Sequence, residues 1–158
     1  MRIISMQGDI TQVDVDAVVV PVDADPGLRR RIEDRLLEQA GNEVAAETAA
    51  RGPLQLGDAM LTSGGRLRCR YVIQAPTGSK RPADAEGIRM STLAALRCAA
   101  GSRLRSVAIP AFPRGETAMA ALVKALMDFD REGGLEEIFV IGQGEIVSAI
   151  KRRIAPEN

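Results

Sequence analysis

The sequence predicts an α/β fold, a three-layer α/β/α sandwich built around a mixed central sheet of about six strands. Three observations predict it. Short, continuous apolar runs at Ala17-Val18-Val19-Val20, Val107-Ala108-Ile109 and Ile138-Phe139-Val140-Ile141 have the composition of strands covered on both faces. Between these runs lie stretches with apolar residues at helical spacing, the alternation expected when crossover helices join parallel strands. Finally, Ala59-Met60-Leu61-Thr62 and Tyr71-Val72-Ile73-Gln74-Ala75 flank Ser63-Gly64-Gly65 and read as a hairpin with a loose loop, which makes the sheet mixed.

Taken in order, Arg2 to Gln7 reads as a first strand that stops at the turn Gly8-Asp9, and 17–20 as the second. Asp25-Pro26-Gly27 offers a cap and a proline for the first helical turn, and Leu28, Ile32, Leu36 and Ala40 follow at i+4 spacing. Gly41-Asn42 ends that helix, and a second runs from Glu43 to about Arg51, where Gly52-Pro53 breaks it. After the hairpin and a loop over 76–82, a helix is expected over 84–100, with Ile88, Leu93, Leu96 and Ala100 inward. The strand at 107–109 stops at Pro110, and Thr117 to Asp130, apolar on nearly all sides, reads as a helix packed between other elements. Gly133-Gly134 precedes the last strand. Ile146, Ile150 and Ile154 then mark an amphipathic helix with basic residues in its final turn, as the helix dipole favours.

The 158 residues suit one domain, 1–158, with no repeat or linker. Twenty-one basic and 21 acidic residues give a formal net charge of zero, which argues against nucleic acid or anionic lipid as partner. No apolar run approaches the roughly 18 residues of a membrane span and the start is too soon charged for a signal peptide, so a cytoplasmic location is expected. The complete lack of histidine excludes Ser-His-Asp and Cys-His catalysis and zinc-protease motifs. Cys69 and Cys98 are isolated, so neither a disulfide nor a resident metal or cofactor is expected. Any catalysis falls to carboxylates, a hydroxyl, bound water or a borrowed metal.

In such sheets ligands bind at the carboxyl ends of the strands, where Val22 to Arg29, Pro110 to Thr117 and Gly142 to Gly144 should converge. The helix starts at Asp25-Pro26-Gly27 and Gly115-Glu116-Thr117 could each hold a phosphate, although ordinary capping explains the same residues. Arg29-Arg30-Arg31 reads as a solvated face or an anion contact, and Phe112 as a core residue before a ligand platform.

Gly8-Asp9-Ile10-Thr11, followed by Val15-Asp16-Ala17-Val18-Val19, resembles the opening of macro domains. Gly57-Asp58-Ala59-Met60-Leu61-Thr62-Ser63-Gly64 with Tyr71-Val72-Ile73-Gln74-Ala75 resembles that family's hairpin, and Ser106-Val107-Ala108-Ile109-Pro110-Ala111 its strand before the second phosphate loop. The resemblance implies an ADP-ribose pocket in which Asp9 accepts from the adenine amino group and Ile10 supplies a backbone N–H. Asp9 read from its position alone is equally a turn cap. The family's Asn-Ala-Ala-Asn stands here as Val20-Pro21-Val22-Asp23, which places Asp23 where an asparagine would face the distal ribose. The first phosphate loop is reduced to Asp25-Pro26-Gly27-Leu28, leaving Gly27 and Leu28 as its backbone donors. The second reads Phe112-Pro113-Arg114-Gly115-Glu116-Thr117, so Pro113, Arg114, Gly115, Glu116 and Thr117 are its candidate contacts, with Gly142 at the third junction. Three functions stay open: a binding module for ADP-ribose or a related nucleotide; a degenerate domain with a structural or protein-interaction role; and a hydrolase of ADP-ribosyl or phosphate esters using Asp23 or Glu116 as base.

Overall fold

A computed structural model describes residues 1–22, 32–78, 84–111 and 116–154. Its strands are β1 (Arg2–Gln7), β2 (Ala17–Val22), β3 (Met60–Ser63), β4 (Tyr71–Pro76), β5 (Ser106–Pro110) and β6 (Glu137–Gly142). They form one six-stranded sheet in the order β1-β6-β5-β2-β4-β3, in which only β3 runs antiparallel to its neighbour. The helices are α1 (Ile32–Ala40), α2 (Asn42–Arg51), α3 (Ala85–Gly101), α4 (Glu116–Glu132) and α5 (Gly144–Ile154), and a 3₁₀ turn spans Ile10–Gln12.

Strand alternation divides the core into two layers. Ala17, Val19, Ile73, Ala75, Val107, Ile109, Ile138 and Val140 pack against α3, α4 and the inward face of α5. Val18, Val20, Val72, Ala108 and Ile141 turn to the opposite face, where Leu36 of α1 and the segment carrying Ile10 and Val15 cover them. On that side α2 is tied to the sheet by a hydrogen bond that Gln74 Nε2 donates to Thr48 Oγ1 at 2.8 Å. The expected mixed sandwich is therefore present, with helices on both faces. The helix start near Pro26 lies outside the described residues, as does most of the 76–82 loop.

Two local expectations change. The hairpin connection is tight where a loose loop was predicted: a Cβ on Gly64 would sit 2.1 Å from the Cys69 carbonyl oxygen, and one on Gly65, whose φ is +56°, 2.1 Å from that of Ala40. Arg66 N–H also donates to Ala40 O at 2.9 Å, which pins the connection to the end of α1. α4 is not enclosed on all sides, because Glu116, Thr117, Ala120, Lys124 and Met127 form an exposed stripe opposite Leu122, Leu126 and Phe129. The many alanines that made it look uniformly apolar tolerate either environment.

β2 carries a proline in the middle of a sheet, where a ladder N–H is normally required. The Val22 carbonyl accepts from Thr77 N–H on the β4 side, so alternation turns Pro21, one residue earlier, toward β5. There the β2–β5 pairing covers only Ala17↔Val107 and Val18↔Ala108 and has already ended. No ladder bond is asked of Pro21. The β2–β4 pairing, by contrast, continues through Val22↔Pro76.

Gly87 gives a test of this packing. An exposed helix glycine changed to alanine gains about 1 kcal/mol from propensity, but here the added Cβ would stand 2.0 Å from the Thr77 carbonyl oxygen, a backbone atom that cannot swing away. Overpacking of this kind costs about 1–3 kcal/mol, so Gly87→Ala should be destabilising in spite of its propensity gain, lowering the melting temperature by a few degrees. A melting temperature equal to or above that of the unaltered protein would refute the contact.

Candidate functional site

The parallel register brings the carboxyl ends of five strands to one edge. Gln7 pairs with Gly142, Pro110 with Ile141 and Val22 with Pro76, so Gly8-Asp9, Gly142, Ala111, Val22 and Thr77 lie along the same rim. Past Val18 the β2–β5 ladder is absent, so the two strands are not paired along the part nearest that rim. The strand order also reverses there, since the chain leaves β2 toward β4 and β3 on one side and returns to β5 and β6 on the other.

Asp9 caps the 3₁₀ turn. Its Oδ1 accepts from the Thr11 backbone N–H at 2.9 Å and from Thr11 Oγ1 at 2.6 Å, and its carbonyl accepts from Gln12 N–H at 3.0 Å. Oδ2 takes part in no hydrogen bond among the described residues. The Thr11 hydroxyl, and after it the Thr11 amide, hold the Asp9 carboxyl below its usual value of 3.8. The Ile10 side chain is buried, 7% exposed, and anchors the turn to the core, while its N–H has no acceptor among the described residues. An unused carboxylate oxygen and an unused amide thus sit on adjacent residues at the rim.

A cavity of about 420 Å³ adjoins Asp9, lined by Met6, Gly8, Gln12, Val13, Asp14 and Phe139 as well. Its lining is mostly apolar, with Met6 38% exposed and Val13 and Phe139 partly buried, and Asp9, Gln12 and Asp14 are its polar side chains. This volume falls within the range of small-molecule sites. The sequence reading missed Met6, Thr11, Gln12, Val13, Asp14 and Phe139. A signal existed for Thr11 alone, because aspartate followed two residues later by threonine is a local capping pattern.

Among the other candidates, Gly142 lies at the end of β6, where a Cβ would meet Ala111 Cβ at 2.8 Å, so β5 and β6 approach closely at the rim. Gly144 faces Gln7, whose Oε1 would be 3.2 Å from an added Cβ. Thr117 is exposed in the first turn of α4. Glu116 forms an ion pair with Arg153 of α5, which draws its carboxylate toward α5. Asp23, Gly27, Leu28, Pro113, Arg114 and Gly115 lie outside the described residues. Burial pushes the Cys69 and Cys98 thiols up, away from the reactive thiolate form. Among the described residues no three Cys, Asp or Glu side chains cluster as metal ligands would, and no helix is long and apolar enough to cross a membrane.

A mixed sheet covered by helices on both faces, with its strand order reversing at β2, defines a doubly wound α/β class of domain. The comparisons narrow the class. A family model described as Macro domain matches residues 26–121. An uncharacterized protein of Aquifex aeolicus is 30% identical over 149 residues, covering 89% of this chain and 90% of the relative. One from Aeropyrum pernix is 33% identical over 115 residues, 68% of this chain and 58% of the relative. In fold, a crystal structure of the Trypanosoma brucei macrodomain in complex with ADP-ribose superposes with a TM-score of 0.79 at 20% identity, covering 97% of this chain and 68% of the other. The chain belongs to the macro domain family.

The Asp9 geometry has a measurable consequence. Because its folded pKa is depressed, the stabilisation it contributes is present above the unfolded value and is lost as pH falls through the folded one. A carboxyl ¹³C titration should place Asp9 below 3.8, and Asp9→Asn should flatten that part of the acid limb of the stability profile. A titration at or above the ordinary value would show that the Thr11 hydrogen bonds do not form in solution.

Proposed function

We propose that this chain binds ADP-ribose or a related adenine nucleotide at the rim, with the adenine end against Asp9 and Ile10 and the phosphates toward the unpaired stretch between β2 and β5. The observation that carries this reading is the pairing of an open Asp9 Oδ2 with an open Ile10 N–H, an acceptor next to a donor. Membership of the macro domain family and the fold shared with a protein crystallised with ADP-ribose support it. The cavity beside Asp9 offers a mostly apolar lining against which a base can rest.

Binding without turnover is the reading we favour. A hydrolase needs a base free to activate water, and Glu116 is paired with Arg153. The chain has no histidine to stand in for it. The alternative, a domain of this family that has lost its nucleotide, is what a failed binding experiment would leave.

Calorimetry with ADP-ribose on the intact chain tests the proposal, and affinity in the micromolar range is expected. Asp9→Ala removes an acceptor worth about 1.5–3 kcal/mol and should weaken binding roughly ten- to a hundredfold. It should also cost about 1 kcal/mol of stability through the lost cap. Asp9→Asn should cost less affinity, since its amide oxygen still accepts. Absence of binding by the unaltered protein would refute the reading, and unchanged affinity in both variants would remove Asp9 from the site.

A further inference from the structure

We propose that Thr11 is a positioning residue that sets which base this site accepts, by fixing Asp9 so that one carboxylate oxygen serves the turn and the other faces the ligand. The inference rests on the nucleotide-binding reading above and deepens it.

Both Thr11 bonds go to the same oxygen, Asp9 Oδ1, the amide at 2.9 Å and the hydroxyl at 2.6 Å. Two donors on one oxygen hold the carboxylate plane against rotation and leave Oδ2 as the single acceptor open among the described residues. Thr11 Oγ1 itself accepts from Gln12 Nε2 at 3.4 Å, which leaves its one hydrogen directed to Asp9. A carboxyl held below its ordinary value of 3.8 is ionised near neutrality, so Oδ2 is an acceptor and not a donor. Asp14 is the other titratable group lining the adjoining cavity, whose Met6, Val13 and Phe139 side chains carry no charge.

The order of groups then selects the base. An acceptor at Asp9 Oδ2 beside a donor at Ile10 N–H complements adenine, whose exocyclic amine donates and whose N1 accepts. Hypoxanthine presents the reverse, a carbonyl that accepts and an N1–H that donates, so at least one like group would face like. Without the Thr11 hydroxyl the carboxylate turns more freely, and the fixed order is weakened. A role confined to stabilising the turn predicts loss of stability with no change in base preference.

The test compares the unaltered chain, Thr11→Val and Thr11→Ser. Thr11→Val keeps the shape and the backbone donor but removes the hydroxyl, and Thr11→Ser restores it. Calorimetry with ADP-ribose and with its hypoxanthine counterpart reads base preference, and a carboxyl ¹³C titration reads Asp9. In Thr11→Val we expect the preference for adenine over hypoxanthine to fall about tenfold, the size of one charge-assisted hydrogen bond, and the Asp9 titration to move up toward its ordinary value. Thr11→Ser should retain both. If the unaltered chain prefers adenine and Thr11→Val keeps that preference and the same Asp9 titration, the role of Thr11 is overturned while the binding reading stands. If the unaltered chain binds neither nucleotide, the binding reading fails and base selection falls with it.

Discussion

Ala17, Val18, Val19 and Val20 are each no more than 2% exposed, so β2 is sealed on both faces, and this double burial dictates the rest of the architecture. A strand apolar on both sides needs a layer of helices on each, and successive parallel strands can be joined only by crossing over one of those layers. Every such crossing leaves from a carboxyl end. The rim where Gly8-Asp9, Val22, Thr77, Ala111 and Gly142 gather follows from sheet burial and owes nothing to the ligand.

Pro21 stands where β2 and β5 are no longer paired. In a fully laddered sheet β2 would hydrogen-bond to β5 along its whole length and the strands would close on each other. Proline removes the N–H that would face β5, and the ladder indeed stops after Val18. On the other side the ladder to β4 is intact through Val22↔Pro76, so the strand keeps its position while its outer half is released from one neighbour only. The proline within Val20-Pro21-Val22-Asp23 therefore lies at the carboxyl end of β2, the end at which ligands bind in sheets of this kind.

The legible parts of the fold were those with strong periodicity. The double-faced runs at β2, β5 and β6, and the i+4 spacing of Ile146, Ile150 and Ile154, admitted one reading each, and the strands and helix are where they were placed. The 3₁₀ turn at Ile10–Gln12 was not legible, since three residues are too few to establish a period. The apolar run that marks β2 in the sequence is 17–20, whereas the strand continues through Pro21 to Val22, and the register against β5 shows why a proline is tolerated there. The tight hairpin connection escaped notice because glycine signals freedom as readily as close approach, and it is the neighbouring carbonyls of Cys69 and Ala40 that decide between them. Of the candidate site, Asp9 and Ile10 were reached through their motif. Met6 and Phe139 were not, because they come together only when β1 pairs with β6.

What the described rim offers at Asp9 and Ile10 is a fixed acceptor next to a donor. A general acid or base works best with a pKa near the ambient pH. Asp9 is held the other way, below the ordinary carboxylate value, by the Thr11 hydroxyl and amide. Glu116 is joined to Arg153, and the two thiols are pushed up by burial and lie away from the cavity lining. Without histidine the chain lacks the side chain that most readily bridges this gap. The same two hydrogen bonds that make Asp9 a poor base make it a well-defined acceptor, because they fix its plane and its charge together. In a site arranged so, the order of hydrogen-bonding groups and the apolar lining would do the discriminating, which is the recognition role proposed above.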